Sequence, residues 1–587
     1  MKLSHIIYIG AAVAVSGASA QDLSTEITVD RTVVPRERPA TRPAGFLPEP
    51  YTPAVSRPSL FPSEYFNPST LTPGISTLLP ANWPLDATHT PYRGYASIGY
   101  FPALNIGANA GYRLIDTGRS SLGAWLQYSG AQYKATDYQD IKDTYKSHDF
   151  TIGINGRHCF NPRSVLSASA DFSLGAQSRP WGADDTFSRT ASTFRFDAGF
   201  ESSTGRVAYA IGASAAHFGF NKVAPTSDYP KLRQTDLGLR GSIGLTREDG
   251  NSRWLGLDIE SQILFSNIAP KSPGSQLSDS PTSQLPGSAT LSATALRPFV
   301  SFNNEKGQIR LGLDLSMATG DGDATYRIAP DVFAAWTPSP QFMAYAKATG
   351  GQRLNPVRQT HTLLPWLLTQ GVAPRTDIPY HARVGLQYGP WKGFNAEIFG
   401  QYAKAESAIM PAIVLDPKYV KSALGYYNIK GWQFGAELQY KFSQPYALRL
   451  AGTFSPSRDW YADLDRARFT LDAAVTASPI PALDITLSYQ LRAGRRVDVF
   501  KPRPTPVEPE PTPDDFTNPT SKTPRLSNYT TLQLHNISSL NLAATYRITP
   551  RLTAFARGEN LLGHSALDPT GVGLQGIHGL AGIAYKF

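Results

Sequence analysis

The 587-residue chain holds one cysteine and four methionines, and charged residues make up only 17% of it. With Cys159 alone, no disulfide can close within the chain and no thiolate metal cluster can form. Cys159 reads instead as a small strand-end residue. Beyond the N-terminus there is no run of the about 20 apolar residues that a membrane helix needs, which excludes a helical membrane protein. The ten histidines show no zinc-ligand spacing. A Gly-rich phosphate loop and a Gly-x-Ser-x-Gly elbow are both missing. Asp321 and Asp323, in a Gly-Asp-Gly-Asp run, lack the other positions of a calcium loop. Neither a cofactor nor an enzymatic activity is expected. The formal charge of +9 comes from scattered Lys and Arg without a basic run, so nucleic acid is not an expected partner.

What the chain does contain begins with an export signal. Met1-Lys2 gives a positive start, Ile6 to Val15 is a short apolar stretch, and Ala18-Ser19-Ala20 is a small-residue cleavage pattern. Residues 1–20 are therefore expected to be removed by cleavage after Ala20, with Ala18 and Ala20 as the cleavage determinants. No cysteine follows, so a lipoprotein is not expected. Residues 21–91 form a second segment, with thirteen prolines between Pro35 and Pro91. Proline removes amide donors and fixes φ, so regular sheet cannot persist there. Phe46, Tyr51, Phe61, Tyr65, Phe66 and Trp83 suggest that this irregular segment packs against something.

From Tyr92 to Phe587 the pattern becomes alternation. Trp432, Phe434, Ala436, Leu438, Tyr440 and Phe442 interleave with Gln433, Glu437, Gln439 and Lys441. Leu255, Leu257, Ile259, Ile263 and Phe265 interleave with Asp258, Glu260 and Gln262. Successive strand side chains point to opposite faces, so one face is apolar and the other polar. Inward carboxylates such as Glu397 and Glu437 then belong to a polar lumen. Aromatics sit at both ends of the apolar face from Trp432 to Tyr440, as in the girdles of membrane barrels. Short turns pair the strands at 116–119, 160–163, 202–206, 248–251, 303–306, 337–341, 389–393, 442–445, 478–481 and 548–551. Longer connections fall near 135–147, 177–191, 221–233, 267–290, 350–380, 406–423, 456–466, 495–536 and 562–577. Short turns at one rim and long loops at the other mark an outer-membrane barrel. The fold class read from this is all-β: an antiparallel transmembrane β-barrel of about 22 strands over residues 92–587, preceded by a Pro-rich irregular segment.

Three stretches carry resemblances. Ile583, Tyr585 and Phe587 alternate on one face and end the chain, which resembles the signal read by the barrel-assembly machinery. Arg551 to Leu562, RLTAFARGENLL, resembles the penultimate strand of TonB-dependent receptors at Arg557, Glu559, Asn560, Leu561 and Leu562. Glu26-Ile27-Thr28-Val29 resembles the TonB box, which pairs with an energy-coupling protein by strand addition. The resemblance implies a receptor or transport barrel in the cell outer membrane, surrounded by outer-membrane lipid. The sequence departs from those receptors in having only residues 21–91 where they carry a folded plug. Since barrels of 22 strands have a wide lumen that is normally plugged, residues 21–91 are expected to run into or along it. Uptake or binding of a solute is the leading expectation. Scaffolding of partner proteins such as a surface lipoprotein, and a passive porin, are the alternatives.

Overall fold

A computed structural model describes residues 92–587 apart from 102–104, 139, 141, 162, 182–184, 225–231, 247–252, 268–288, 305, 321–323, 367–372, 416–419, 443–445, 457–465 and 501–528. The cleavage residues Ala18 and Ala20, the Glu26–Val29 box, the Pro-rich segment and Asp321 and Asp323 lie outside the described residues. The chain opens with β1 (Gly94–Phe101), β2 (Asn105–Asp116), β3 (Ser120–Thr136), β4 (Lys142–Asn161), β5 (Ser164–Trp181) and β6 (Asp185–Thr204). Next come β7 (Val207–Ala224), β8 (Arg233–Thr246), β9 (Arg253–Ser266), β10 (Ala289–Asn304), β11 (Gly307–Thr319), β12 (Thr325–Ser339) and β13 (Phe342–Asn355). A short helix, α1 (Val357–Leu363), precedes β14 (Ala373–Trp391), β15 (Phe394–Leu415) and β16 (Val420–Lys441). The remainder is β17 (Tyr446–Phe454), β18 (Phe469–Ile480), β19 (Leu483–Ala493), β20 (Arg496–Phe500), β21 (Tyr529–Gln533), β22 (Ile537–Arg547), β23 (Leu552–Glu559) and β24 (His578–Lys586).

Each strand from β1 to β18 pairs antiparallel with the next, β19 pairs directly with β22, β22 to β24 continue the ladder, and β24 returns to β1. Of the 24 strands among the described residues, β20 and β21 stand outside this wall, so a closed barrel of 22 strands results. Closure follows from the solvent. An unpaired backbone amide or carbonyl costs several kcal/mol in lipid, and only a sheet joined to itself leaves no edge. At the join, Ile98 faces Ile583 and Gly99 faces Gly582. Below it, the Phe587 carbonyl accepts from the Arg93 and Gly94 amides, both at 2.8 Å. The ring of Phe587 stacks beside Tyr112 and Tyr585. The three C-terminal residues Ile583, Tyr585 and Phe587 thus lie on the outer surface, at the seam.

The outward side chains are those that alternation assigned to the apolar face. Ile211, Leu239, Ile328, Ile398 and Trp432 are each at least half exposed, which in a closed barrel means contact with lipid. All ten short turns read from the sequence fall between paired strands, at the rim that such barrels present to the periplasm. The long-connection rim differs from the reading in one respect. Around 135–147, 177–191 and 406–423, paired strand replaces most of the expected loop: β3 and β4 remain in register from Thr136↔Lys142 downward, and β15 and β16 from Leu415↔Val420. Above the bilayer the outer face no longer has to be apolar, so the period-two contrast fades while the ladder continues.

Gly582 marks how tightly the seam is drawn. A Cβ there would sit 2.0 Å from the Ile98 carbonyl oxygen. Because that neighbour is backbone, Gly582→Val should destabilise the barrel by roughly 1–3 kcal/mol. Gly118→Val, in a turn with open space around it, should leave stability unchanged. Heat-dependent gel mobility of the two variants in detergent tests this, and equal midpoints would contradict it.

Candidate functional site

Facing the lumen, cross-strand ion pairs lie around the wall. Arg195 (β6) reaches Asp171 (β5) at 2.9 Å. Arg297 (β10) bridges Glu260 (β9) and Asp314 (β11) at 2.9 and 2.6 Å. Arg310 (β11) bridges Asp258 and Asp331 at 2.8 and 2.9 Å. Arg383 pairs with Glu397 while its guanidinium lies 3.6 Å over the Phe399 ring. Arg449 meets Glu437 at 3.0 Å, and Arg492 meets Asp472 at 2.9 Å. Inward Glu397 and Glu437 are thus wall charges with arginine partners, as a polar lumen requires.

Higher up, the inward face changes character. Phe187, Phe218, Phe220, Leu264, Leu291 and Ala318, spread over β6 to β11, are buried and form one cluster. The reason is the connection between β13 and β14, which folds into the barrel as a strap. Its Val357 joins that cluster, as does Leu354 at the end of β13. Leu364 packs instead with Ile378, Ala403 and Ile429 on β14 to β16. Trp366 sits with Tyr133 and Tyr145 of β3 and β4, its ring edge-on to Tyr145 at 5.7 Å. Three separate arcs of wall hold this one short segment, so it crosses the lumen.

Polar contacts fix the strap in register. The Val357 amide donates to Gln234 Oε1 at 2.7 Å, and Arg358 lies 3.8 Å from Asp236. Buried Arg189 of β6 is the main latch. Its Nη2 donates to His361 Nδ1 and to Gln177 Oε1, both at 3.3 Å, and to the Pro365 carbonyl. Its guanidinium also lies 4.5 Å over the Phe220 ring. Phe218 and Phe220 flank the His361 imidazole at 5.4 and 5.6 Å. Burial, with the Arg189 cation beside it, pushes His361 well below its ordinary value of 6.5. The ring is therefore neutral at pH 7 and can accept from Arg189. Between strap and wall lies a cavity of about 320 Å³ lined by Asp149, Ser173, Gln177, Arg195, Arg358 and His361 among others.

Two further elements narrow the same mouth. β20 pairs parallel with the upper part of β15, Ala412↔Asp498 to Val414↔Phe500. Its buried Asp498 is held by Arg466 at 2.7 Å and Thr531 at 2.9 Å. The β23–β24 connection also turns inward. Val572 joins the Trp366 cluster, and fully buried Arg495 donates to the Leu567 carbonyl at 2.7 Å. Here the residues of the C-terminal motif come together. Glu559 takes Arg557 at 2.8 Å and His578 at 3.0 Å. Asn560 adopts φ +49°, and its Nδ2 donates to the carbonyls of His564 and Gln575. The Leu561 amide bonds to Leu540 O, while the Leu562 side chain is exposed. The motif thus fixes the root of an infolded loop. The strap, Arg189 and the β20–β21 hairpin carry no local sequence signal of this kind. Only the buried-type residues Phe218, Phe220 and Leu264 on the nominally polar face could have hinted at them.

No family model matches the chain, and no curated protein matches it. Solved structures do. The ferripyoverdine receptor of the outer membrane of Pseudomonas aeruginosa aligns at a TM-score of 0.57 and 12% identity, over 84% of this chain and 72% of that one. The siderophore receptor PirA from Acinetobacter baumannii aligns at 0.57 and 10%, over 84% and 80%. A ferric enterobactin receptor from Pseudomonas aeruginosa gives 0.56 and 10%, over 84% and 80%. At such identity the likeness shows the fold: the chain is a transmembrane β-barrel of the outer-membrane type, like the TonB-dependent receptors that its C-terminal motif resembles.

Arg189→Ala should release the strap, since hydrogen bonds from a charged donor contribute about 1.5–3 kcal/mol. A spin label at exposed Thr362 should pass from restricted to mobile. Because docking holds His361 neutral, its contribution is complete above pH 6.5 and is lost as pH falls below that value toward the depressed one. Acidification should therefore mobilise the same label in the otherwise unaltered protein. The ionisable neighbours in the cavity are Asp149, Arg195 and Arg358. A label insensitive to both changes would show that this latch does not hold the strap.

Proposed function

We propose that this chain is an outer-membrane receptor and transport barrel that holds a polar solute in its lumen and controls passage at the mouth. The observation that carries this reading is the strap, anchored on three arcs of wall, which makes the lumen a chamber and not an open pipe. Wall arginines bridged to carboxylates on neighbouring strands suit polar solutes, because they offer both hydrogen-bond donors and acceptors. A passive porin would need a mouth that stays open, and a pure scaffold would need no strap across the lumen.

Residues 21–91 complete the proposal. The described chain starts at the short-turn rim, where lumen-facing Arg113 donates to the Tyr92 carbonyl at 3.0 Å. A segment leaving from there has direct access to the lumen, and its aromatics give it the means to pack. In this reading it fills the lower lumen, and Glu26–Val29 remains at the periplasmic side to meet an energy-coupling protein by strand addition.

In planar bilayers the full mature chain should show no steady conductance, and the chain lacking residues 21–91 should conduct in long-lived steps. An intact chain that conducts continuously would favour the porin. A deletion that stays silent even with Arg189→Ala releasing the strap would remove the Pro-rich segment from the lumen.

A further inference from the structure

The outer wall is not uniformly convex. A concavity of about 1350 Å³ lies against β10 to β16, floored by Ala334, Ala344, Ala346 and Gly400 and flanked by Trp336 and Phe434. Gln308, Tyr345 and Phe399, which alternate to the lumenal face, also touch it, whereas the charged Arg383 and Glu397 do not, and its exposed apolar side chains are all of the outward register. Ile398, Trp336 and Phe434, which line it, are about half exposed on the lipid side. It is therefore a groove in the membrane-facing surface.

Its course is set by strand register. The row runs Ile309↔Ala334, Ala334↔Ala346, Ala346↔Val384, Val384↔Gly400 and Gly400↔Phe434. Five inter-strand steps cover about 24 Å, which for strands tilted by about 45° is a rise of about 17 Å. It starts at the short-turn rim, where Gly307 opens β11, and ends at Phe434, seven residues from the end of β16 at Lys441. The hydrocarbon half-thickness is about 15 Å. The groove thus climbs from the headgroup level of the inner leaflet to the middle of the bilayer, the reach of one leaflet's acyl chain.

We propose that this groove binds an anionic phospholipid of the inner leaflet, with its acyl chains along the small-residue floor and its phosphate at Lys306. Lys306 sits exposed at the foot of the groove and makes no ion pair with any described residue. A positive side chain at that depth favours an anionic headgroup. The floor needs an occupant because atoms that line a concavity lose dispersion contacts unless a chain lies against them. An ordered acyl chain fits where a mobile bulk chain would leave gaps. Further along β11 the outer face carries Leu311, Leu313 and Leu315 instead of alanine or glycine.

Native mass spectrometry of the full chain, released from nanodiscs of phosphatidylethanolamine with a minority of phosphatidylglycerol, reads this directly. Phosphatidylglycerol should remain bound in excess over its share. Ala346→Phe and, separately, Ala334→Leu should fill the floor and lower that retention by about tenfold, near 1.4 kcal/mol. Ala213→Phe, whose strand partner Leu239 also faces lipid, should retain the lipid as before. Lys306→Gln should keep a lipid but lose the preference for phosphatidylglycerol. Variants that migrate as folded barrels are compared. No retained lipid on the unaltered chain would overturn the proposal. So would equal retention in both floor variants, or a second copy of the chain seated in the groove and released by Ala346→Phe.

Discussion

The constraint behind this structure is that hydrocarbon offers the backbone no hydrogen-bond partner. Each amide and carbonyl at membrane depth must therefore find its partner in another strand. The chain meets this at the seam, where β24 comes back to β1 and glycine backs onto the Ile98 carbonyl so that the two strands can approach. The even strand count, the alternation and the grouping of short turns at one rim all follow from that closure. The soluble alternative of two stacked sheets would need a dry interior. Here the interior carries arginines bridged to carboxylates on adjacent strands.

A closed wall of this width creates the second problem, the hole it encloses. The upper part is managed by the chain itself. Inward faces that are polar at membrane depth become apolar above it, and the strap, the β20–β21 hairpin and the β23–β24 connection pack onto them. The strap is held on three arcs of wall by Val357, Leu364 and Trp366, and Arg189 with the rings around His361 latches its middle.

The wall was legible in the sequence because its causes are local. Asn303–Lys306 and Ser478–Pro481 are turn chemistry between alternating runs, and each lies where the ladder reverses. At the start of the barrel β1 and β2 pair from Gly94↔Tyr112 to Phe101↔Asn105. The mouth was not legible, and the reason is physical. The residues that hold the strap come from β3 to β16, far apart in sequence, and none signals its partner. Strand extensions such as Ala412 to Leu415 read as loop because outside lipid neither face is forced to be apolar. The C-terminal motif is intermediate: Arg557, Glu559 and Asn560 were visible as a pattern, but their task of fixing an infolded loop appears only in three dimensions.

Closure at one particular pair of strands carries everything else, and a chemical cross-link across that seam tests it most directly. Paired residues in an antiparallel ladder have Cα atoms about 4.5–5.5 Å apart, inside the range that a disulfide bridges. In a Cys159→Ser background, Ile98→Cys with Ile583→Cys should oxidise to a bridge in intact membranes as readily as the mid-wall pair Leu296→Cys with Leu315→Cys. A mid-wall pair that bridges beside a seam pair that stays reduced would contradict the barrel described here.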